Sequence, residues 1–369
     1  MRSRASEASA NLKNHYLCMD KIKIAFFDFP GPCNPEAMLK LLRKHFEVII
    51  DEEDPDYVFY SVFGSRYLDF PDAVRIFFTG ENVHPDFNLC DYAFGFDWLT
   101  LEDRYYRCPN YLLYEEFEGL RSAPIITDPE QVLSEKTRFC NFIYSNAKAH
   151  PYREELYHQL NRYKLVDSAG IYLNNTGFTV GSPSLGVNAT QDKIDFQRQC
   201  KFSIAIENSS SIGYTTEKLV HALAGDTIPI YWGNPEVSRE FNTRRFINCH
   251  DYDSIEAVVA KIEEIDRDDE LYTEMLSECV FTDNMIPPSL LEERLVAHLH
   301  HIFSKNDGGA RRNRHVWGKI YEEKRLEESQ QPTFTKWVHY RCCQIRKRSR
   351  QSSWAMRLLS LFRRNPFKG

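Results

Sequence analysis

The chain has 369 residues, of which 42% are hydrophobic and 14% aromatic, and its formal net charge is −7 at pH 7. This length favours two domains, because single domains commonly run on the order of 100–200 residues. The ten cysteines form no Cys-x-x-Cys pair and show no zinc-type spacing, which indicates free thiols in a reduced, cytoplasmic protein.

Charge is distributed unevenly along the chain. No acidic residue follows Glu328, and residues 333–369 contain seven Arg and three Lys. An acidic body with a basic, aromatic tail argues against a nucleic-acid-binding enzyme. It indicates instead a tail that has a partner of its own.

The first half of the chain alternates between strand and helix patterns. Residues 1–20 are polar, contain no apolar signal core and predict a disordered lead. Residues 21–29 predict a buried strand, a helix capped by Asn34 follows, and the apolar runs EVII, DYVFYSVF, RIFFTG and DYAFGF predict further strands. This alternation predicts an α/β domain with a parallel sheet over residues 21–136, of which the charged stretch 115–136 is expected to be a linker.

A second α/β unit is predicted over residues 137–305. It begins with the strand pattern RFCNFIYSN and alternates further strands and helices, and the helical pattern of residues 290–305 is expected to close it. Two doubly wound domains that face a cleft are therefore predicted. In such folds ligands bind at the carboxyl ends of the strands.

The segment ENSSSIGYTTEK, residues 207–218, has the pattern of a phosphate-binding site. A buried strand, residues 202–206, leads into a turn of small polar residues, and Thr215 or Thr216 is expected to cap the helix that follows. Backbone amides at a helix N-terminus attract an anion, and Lys218 adds a full positive charge.

Other side chains of the segment suit the remainder of a nucleotide sugar. Asn208 and Tyr214 can donate hydrogen bonds, and Glu217 can accept two from a vicinal diol such as ribose. Each residue taken alone is more simply explained as a turn residue or a solvated first turn of a helix. Their combination in this order favours a binding site.

The segment 207–218, followed by DTIPIYWG at residues 226–233, resembles the signature of the α-1,3/4-fucosyltransferases, glycosyltransferase family ten. A second stretch, residues 75–97, is similar to the acceptor-domain motif of bacterial members. A weaker similarity lies at residues 145–157, where the family has an Asn-rich turn followed by an Arg. The resemblance covers roughly residues 21–305.

The resemblance implies a GT-B fold, with the acceptor in the N-terminal domain and GDP-fucose in the C-terminal domain. It implies an inverting transfer in which Glu81 is the general base and Arg153 and Lys218 hold the pyrophosphate. The other donor contacts that it implies are Asn208, Tyr214 and Glu217, with Ser145 and Asn146 in the Asn-rich turn.

Chemistry gives the same roles a physical basis. An inverting transfer needs one base within about 3 Å of the acceptor hydroxyl, and Glu81 follows an apolar strand at the edge of a predicted cleft. Negative charge builds on the leaving diphosphate, which Arg153 and Lys218 could neutralise. The alternatives are that Glu81 is a salt-bridged or helix-capping acid and that Arg153 is a solvated residue at a helix start.

The resemblance also implies that no metal and no cofactor is required, since cationic side chains replace a divalent ion. The nearest Asp-x-Asp sequence in the donor half is residues 251–253, where Asp253 or Ser254 is expected to cap the next helix. A metal site at this sequence is the alternative.

The expected partners are GDP-fucose and an oligosaccharide acceptor of the N-acetyllactosamine type, fucosylated at O3 or O4 of GlcNAc in a Lewis-type surface glycan such as lipopolysaccharide. Two rival interpretations remain open. One is a GT-B transferase that uses another GDP-sugar, and the other is a non-catalytic, membrane-docked protein that binds glycans.

The tail, residues 306–369, is predicted to be helical and basic. On a helix, Trp354, Leu358 and Leu361 share one face, and the flanking cations are Arg357, Arg363 and Arg364. This composition is typical of a helix on an anionic membrane surface, which predicts a peripheral protein on the inner face of the membrane. A solvated tail is the alternative. Residues 306–330 show no heptad pattern, which leaves the oligomeric state open.

Overall fold

The structure, a computed structural model, describes residues 21–30, 33–181, 189–305 and 315–331. The chain forms two compact units, residues 1–312 and residues 313–369. Both predicted α/β layers therefore belong to the first unit. The disordered lead predicted at residues 1–20 lies outside the described residues.

The first layer is built on a six-stranded parallel sheet with the strand order β2-β1-β3-β4-β5-β6. Its strands are β1 (Ile22–Phe27), β2 (Val48–Ile50), β3 (Tyr57–Tyr60), β4 (Val74–Phe78), β5 (Tyr92–Gly95) and β6 (Tyr105–Arg107). The five apolar runs of the first half are all strands, as predicted. β6 was not predicted, because its three residues, two tyrosines and Arg107, include no aliphatic side chain.

The second layer is a five-stranded parallel sheet with the order β11-β10-β9-β7-β8. Its strands are β7 (Arg138–Phe142), β8 (Val166–Ser168), β9 (Cys200–Ile206), β10 (Ile228–Trp232) and β11 (Ile247–Asn248). β9 pairs with β7 on one side and β10 on the other, so its carboxyl end lies in the middle of the sheet edge. The predicted α/β class with two parallel sheets is confirmed.

Ten helices connect these strands or follow them in the described part of the chain. They are α1 (Cys33–His45), α2 (Glu115–Ser122), α3 (Pro129–Ser134), α4 (Tyr152–Tyr163), α5 (Ala189–Arg198), α6 (Glu217–Ala224), α7 (Ile255–Arg267), α8 (Asp269–Ser277), α9 (Glu292–Phe303) and α10 (Trp317–Gln330). The Ser254 hydroxyl caps α7 by accepting from the Ala257 N–H, as expected for one of the two predicted caps. No described helix combines the length and the apolarity needed to cross a lipid bilayer.

The stretch 115–136 is not a linker, so that prediction was wrong. It forms α2 and α3, and the Phe117 and Leu120 side chains of α2 are buried in one cluster with Leu219 and Val220 of α6. The many charged residues of α2 surround a narrow apolar face, and the charge pattern alone predicted a linker.

Helix α9 does not close the second layer, and this prediction was also wrong. Its side chains Leu295, Leu299 and Phe303 belong to the core of the first layer. The Phe303 ring packs edge-on against Phe46 and Tyr57, with ring centroids 5.2 and 4.8 Å apart. The chain therefore returns to the N-terminal sheet after completing the C-terminal one.

One buried ion pair joins the two layers. The Arg107 guanidinium at the end of β6 contacts both carboxylate oxygens of Glu240, in the loop after β10, at 2.5 and 2.8 Å. The Glu240 side chain is fully buried and that of Arg107 is 6% exposed. Removing one partner from such a pair leaves the other charge buried without compensation.

We expect Glu240→Ala to lower the free energy of unfolding by about 3–5 kcal/mol, because Arg107 would stay buried without its carboxylate. The matched control is Glu236→Ala, since Glu236 forms an exposed pair with Arg239 at 2.7 Å and should contribute less than about 1 kcal/mol. Urea unfolding measures both variants. Equal losses in the two variants would contradict the importance assigned to the buried pair.

Candidate active site

The segment 207–218 spans the gap between the carboxyl end of β9 and the start of α6. Glu207 directly follows the last residue of the strand and is fully buried. Both of its carboxylate oxygens accept from the Thr216 hydroxyl at 2.8 Å, and one of them also accepts from the Thr216 N–H. Thr216 occupies the N-cap position, as predicted, but its hydroxyl binds Glu207 and does not cap the helix.

Lys218 completes this network. Its ammonium lies 3.0 Å from Glu207 Oε2, 3.0 Å from Thr216 Oγ1 and 3.4 Å from Glu217 Oε1. Burial alone would lower the pKa of Lys218, but the carboxylates of Glu207 and then Glu217 outweigh it and hold that pKa well above its usual value. The site therefore keeps a permanent cation in the first turn of α6.

Gly233 makes room for Glu207. A Cβ atom at Gly233 would lie 2.3 Å from Glu207 Cγ, so only glycine allows this side chain to lie under the end of β10. The sequence pattern predicted no separate role for Glu207. The signal for one was present, since an acidic residue at the end of an apolar central strand must find a buried partner.

Arg153 and Asn208 lie together, as the resemblance implies. Arg153, on the first turn of α4, is only 2% exposed. Its Nη2 donates to the Ile206 carbonyl at 2.9 Å and to Asn208 Oδ1 at 2.7 Å, and its guanidinium lies 4.0 Å from the centre of the Tyr144 ring. The alternative of a solvated arginine at a helix start was wrong.

The Asn-rich turn borders Arg153. Arg153 Nη1 donates to the Asn146 carbonyl at 3.4 Å, and Asn146 Oδ1 accepts from the Lys148 N–H. Ser145 and Asn146 are both exposed. Arg153 Nε is buried and makes no hydrogen bond to any residue that the structure describes. Two of the five guanidinium N–H groups, on Nε and Nη1, therefore form none of these hydrogen bonds.

Tyr214 points from the second layer to the first. Its hydroxyl donates to the Gly80 carbonyl at 3.3 Å, and its ring packs edge-on against Phe96 at 5.0 Å. Burial first, then Glu207 and more weakly Glu81, raise the pKa of this phenol. Tyr214 is therefore a neutral donor that binds the residue immediately before Glu81.

Glu81 itself lies half-buried in the loop after β4. Its N–H donates to Thr79 Oγ1 at 3.2 Å, and Thr79 Oγ1 also accepts from the Ser61 hydroxyl at 3.0 Å. The structure thus brings the predicted base and the predicted donor residues to facing edges of the two sheets.

A second cation borders the site. Lys193, on α5, places its ammonium 3.2 Å from Nδ1 of His221, which lies on α6 one turn after Lys218. Burial raises the pKa of Glu217, but Lys218, Lys193 and His221 outweigh it and bring that pKa below its usual value. Glu217 therefore stays ionised as a hydrogen-bond acceptor. The sequence offered no signal for Lys193, whose surroundings resemble an ordinary amphipathic helix.

Two family models match the chain. The α-(1,3)-fucosyltransferase FucT N-terminal domain matches residues 24–114, and the glycosyltransferase family 10 (fucosyltransferase) C-terminal domain matches residues 133–277. Together they span well over half of the chain. The chain belongs to glycosyltransferase family 10.

Named relatives agree with this assignment. The α-(1,3)-fucosyltransferase FucT of Helicobacter pylori is 34% identical over 257 residues, which cover 61% of this chain and 52% of that protein. The chain thus spans about half the length of this curated relative.

Solved structures of α1,3-fucosyltransferase give the same family and the fold. One is 28% identical with a TM-score of 0.65, covering 80% of this chain and 93% of the other. A second, described as α1,3-fucosyltransferase with GDP-fucose, is 27% identical with a TM-score of 0.61, covering 78% and 91%. The predicted GT-B fold is confirmed.

His221 makes the stability of this family 10 protein depend on pH. Burial, followed by Lys193, lowers the pKa of His221 to about 3, and the ring faces Lys193, Glu116 and the Glu217–Lys218 pair. Because the folded pKa lies below the ordinary 6.5, the stability due to the neutral ring is complete above pH 6.5 and is lost as the pH falls toward 3.

Between pH 7 and pH 5, we expect the wild type to lose about 2 kcal/mol more unfolding free energy than His221→Asn, which cannot take up the proton. Urea unfolding at the two pH values measures the difference. The control is His158→Asn, because the exposed His158 ring lies 3.5 Å from Glu154 at the surface. This variant should keep the wild-type dependence of the unfolding free energy on pH. A wild-type slope in His221→Asn would show that His221 does not stay neutral.

Proposed function

We propose that the protein transfers L-fucose from GDP-β-L-fucose to a sugar hydroxyl with inversion, forming an α-fucoside. The observation that carries the proposal is the meeting of two loops across the cleft. One loop holds Glu81, and the other holds the Glu207–Lys218 network. Membership of family 10 and the similarity to a fucosyltransferase with GDP-fucose support the choice of donor.

The donor diphosphate would bind at the start of α6. The N–H groups of the first helical turn can donate hydrogen bonds to phosphate oxygens, and the Lys218 ammonium adds a positive charge beside them. Arg153 would add a guanidinium N–H group that is not used in its hydrogen bonds to the described residues, from the other side of Asn208. The ionised Glu217 would accept from a diol of the nucleotide sugar, and Ser145 and Asn146 would line the rim.

Glu81 would take the proton from the acceptor hydroxyl while the oxygen of that hydroxyl attacks the anomeric carbon of fucose. GDP would leave through its β-phosphate from the opposite face. Lys218 and Arg153 would stabilise the negative charge that builds on this phosphate. These cations make a divalent metal unnecessary in the proposed scheme, and no cofactor beyond the sugar nucleotide takes part. We therefore expect transfer to continue in EDTA.

The proposed acceptor is an oligosaccharide of the N-acetyllactosamine type, with O3 or O4 of GlcNAc as the nucleophile in a Lewis-type surface glycan. The names of the relatives, which specify α1,3 linkage, support O3. A transferase for another GDP-sugar and a non-catalytic glycan-binding protein are the competing functions. Assays with GDP-fucose and GDP-mannose distinguish all three.

The decisive variant is Glu81→Gln, which removes the base but keeps the size and a hydrogen-bonding oxygen. We expect its transfer rate in EDTA to fall by about 10²–10⁴-fold, because general base catalysis contributes that much, with GDP-fucose affinity within about threefold of wild type. Radiolabelled transfer and calorimetry measure the two quantities. The control is Glu53→Gln, an exposed acid of the same layer.

A wild type that transfers no fucose would refute the proposed activity. Full transfer by Glu81→Gln would instead show that another residue is the general base. Loss of donor affinity in a folded Glu81→Gln protein would place Glu81 in the donor site.

The composition of the tail supports a further proposal, peripheral binding to the inner membrane surface. The predicted membrane-facing side of the tail and its flanking arginines lie outside the described residues; this side consists of Trp354, Leu358 and Leu361. α10, which precedes it, exposes Trp317 at 76% and Ile320 at 49%. We expect the full chain, but not residues 1–331, to cosediment with vesicles that contain anionic lipid, and to be released by salt. Equal binding of both proteins would contradict this proposal.

A further inference from the structure

Asn82, the residue after Glu81, spans the cleft between the two layers. Its Nδ2 donates to Ser209 Oγ at 2.7 Å and to Ser211 Oγ at 2.9 Å. An asparagine amide has two N–H groups, and both are used here on the turn that follows β9. Neither the family resemblance nor the proposed chemistry gives Asn82 a role.

The hydrogen bonds on either side of Glu81 come from the same turn. Tyr214 binds the Gly80 carbonyl before Glu81, and Ser209 and Ser211 bind the side chain of Asn82 after it. The loop that carries the proposed base is therefore held on both sides of Glu81, at Gly80 and at Asn82, by the segment that carries the donor groups.

The turn that provides these partners is anchored within its own layer. Ser210 Oγ donates to the Gly233 carbonyl at 2.6 Å, and the Gly213 N–H donates to Asn234 Oδ1 at 2.7 Å. Gly213 has φ +83°, and a Cβ there would lie 2.4 Å from the Phe96 carbonyl oxygen. The turn is thus a fixed support, and the loop of Glu81 is the part that Asn82 holds in place.

We propose that Asn82 is a positioning residue, which holds Glu81 at the correct distance from the donor by fastening its loop to the Ser209–Ser211 turn. The inference rests on the proposed fucosyl transfer. A base must come within about 3 Å of the proton that it removes, and a displacement of about 1 Å can reduce a rate about a hundredfold. An amide that spans the two layers next to the base controls this distance directly.

Asn82→Ala should therefore lower kcat for fucosyl transfer by about 10–100-fold while the Kd for GDP stays within about twofold. The donor turn keeps its own anchors, which is why affinity is spared. The double variant Ser209→Ala/Ser211→Ala removes the same two hydrogen bonds from the other side and should give the same separation of kcat from Kd. The matched control is Asn88→Ala, because Asn88 is exposed and its side-chain amide donates to the nearby Asp86 within the same layer.

A double-mutant cycle with Glu81 distinguishes positioning from a general structural role. If Asn82 acts through Glu81, then Asn82→Ala should change the residual rate of Glu81→Gln by less than about twofold, since the two residues act as one unit. If Asn82 had a purely structural role, Asn82→Ala would instead lower the melting temperature. It would also reduce the transfer rates of the wild type and of Glu81→Gln by the same factor.

The outcomes separate this inference from the proposed function. An active wild type with unchanged kcat in Asn82→Ala overturns only the role of Asn82, and so does a parallel loss of GDP affinity. If Asn82→Ala does not fold, the serine double variant decides the question by the same criteria. An inactive wild type refutes the proposed function itself.

Discussion

A buried carboxylate at the end of a central strand determines the geometry of the whole site. Glu207 is fully enclosed, and an isolated charge in that position would be strongly unfavourable. The Thr216 hydroxyl and N–H and the Lys218 ammonium compensate the charge by direct contact. Because Thr216 is the N-cap of α6, the same contacts fix where this helix begins. Truncating one member of such a network costs about 3–5 kcal/mol, which makes alternative positions of Lys218 unfavourable.

The second constraint is the close approach of the two layers. Gly213 lies so near the Phe96 carbonyl that no side chain could stand there, and the Arg107–Glu240 pair fastens β6 to the loop after β10. Arg107 Nη2 also donates to the Gly213 carbonyl at 3.3 Å. These contacts are distributed along the cleft between the sheets. Under the proposed function, in which the acceptor binds at one sheet and the donor at the other, such a fixed arrangement would leave little reorganisation for the transition state.

Much of the fold follows from local patterns in the sequence. Apolar runs bounded by polar turns predicted eight of the eleven strands. The three strands that were missed, β6, β8 and β11, are two or three residues long and lie at the edges of the sheets. Amphipathic helices were found, but their partners were not. The apolar face of α9 shows that the helix is buried, and nothing in that face says whether it packs on the first or the second sheet. Helix α2 was not predicted at all, because its charged residues outnumber the few apolar residues that it buries.

The site divides similarly between what is local and what is not. The succession of strand, small-residue turn and cation predicted where Lys218 and Glu217 lie, because all the elements are adjacent in the chain. Other features of the site depend on residues that are distant in the sequence. The contact of His221 with Lys193 joins residues 28 positions apart, and that of Asn82 with Ser209 joins residues 127 positions apart. The burial of Arg153 likewise depends on other elements. Such contacts depend on how the layers pack, which hydrophobic periodicity does not specify.

The central claim is that the Glu207–Lys218 network and the Glu81 loop form two sides of one reaction site. The most direct test is a crystal structure of the full chain with GDP and an unreactive acceptor sugar. The account predicts diphosphate oxygens within about 3 Å of Lys218 Nζ and an acceptor hydroxyl at the same distance from the Glu81 carboxylate. A diphosphate bound away from the start of α6, or an acceptor that lies out of reach of Glu81, would contradict it.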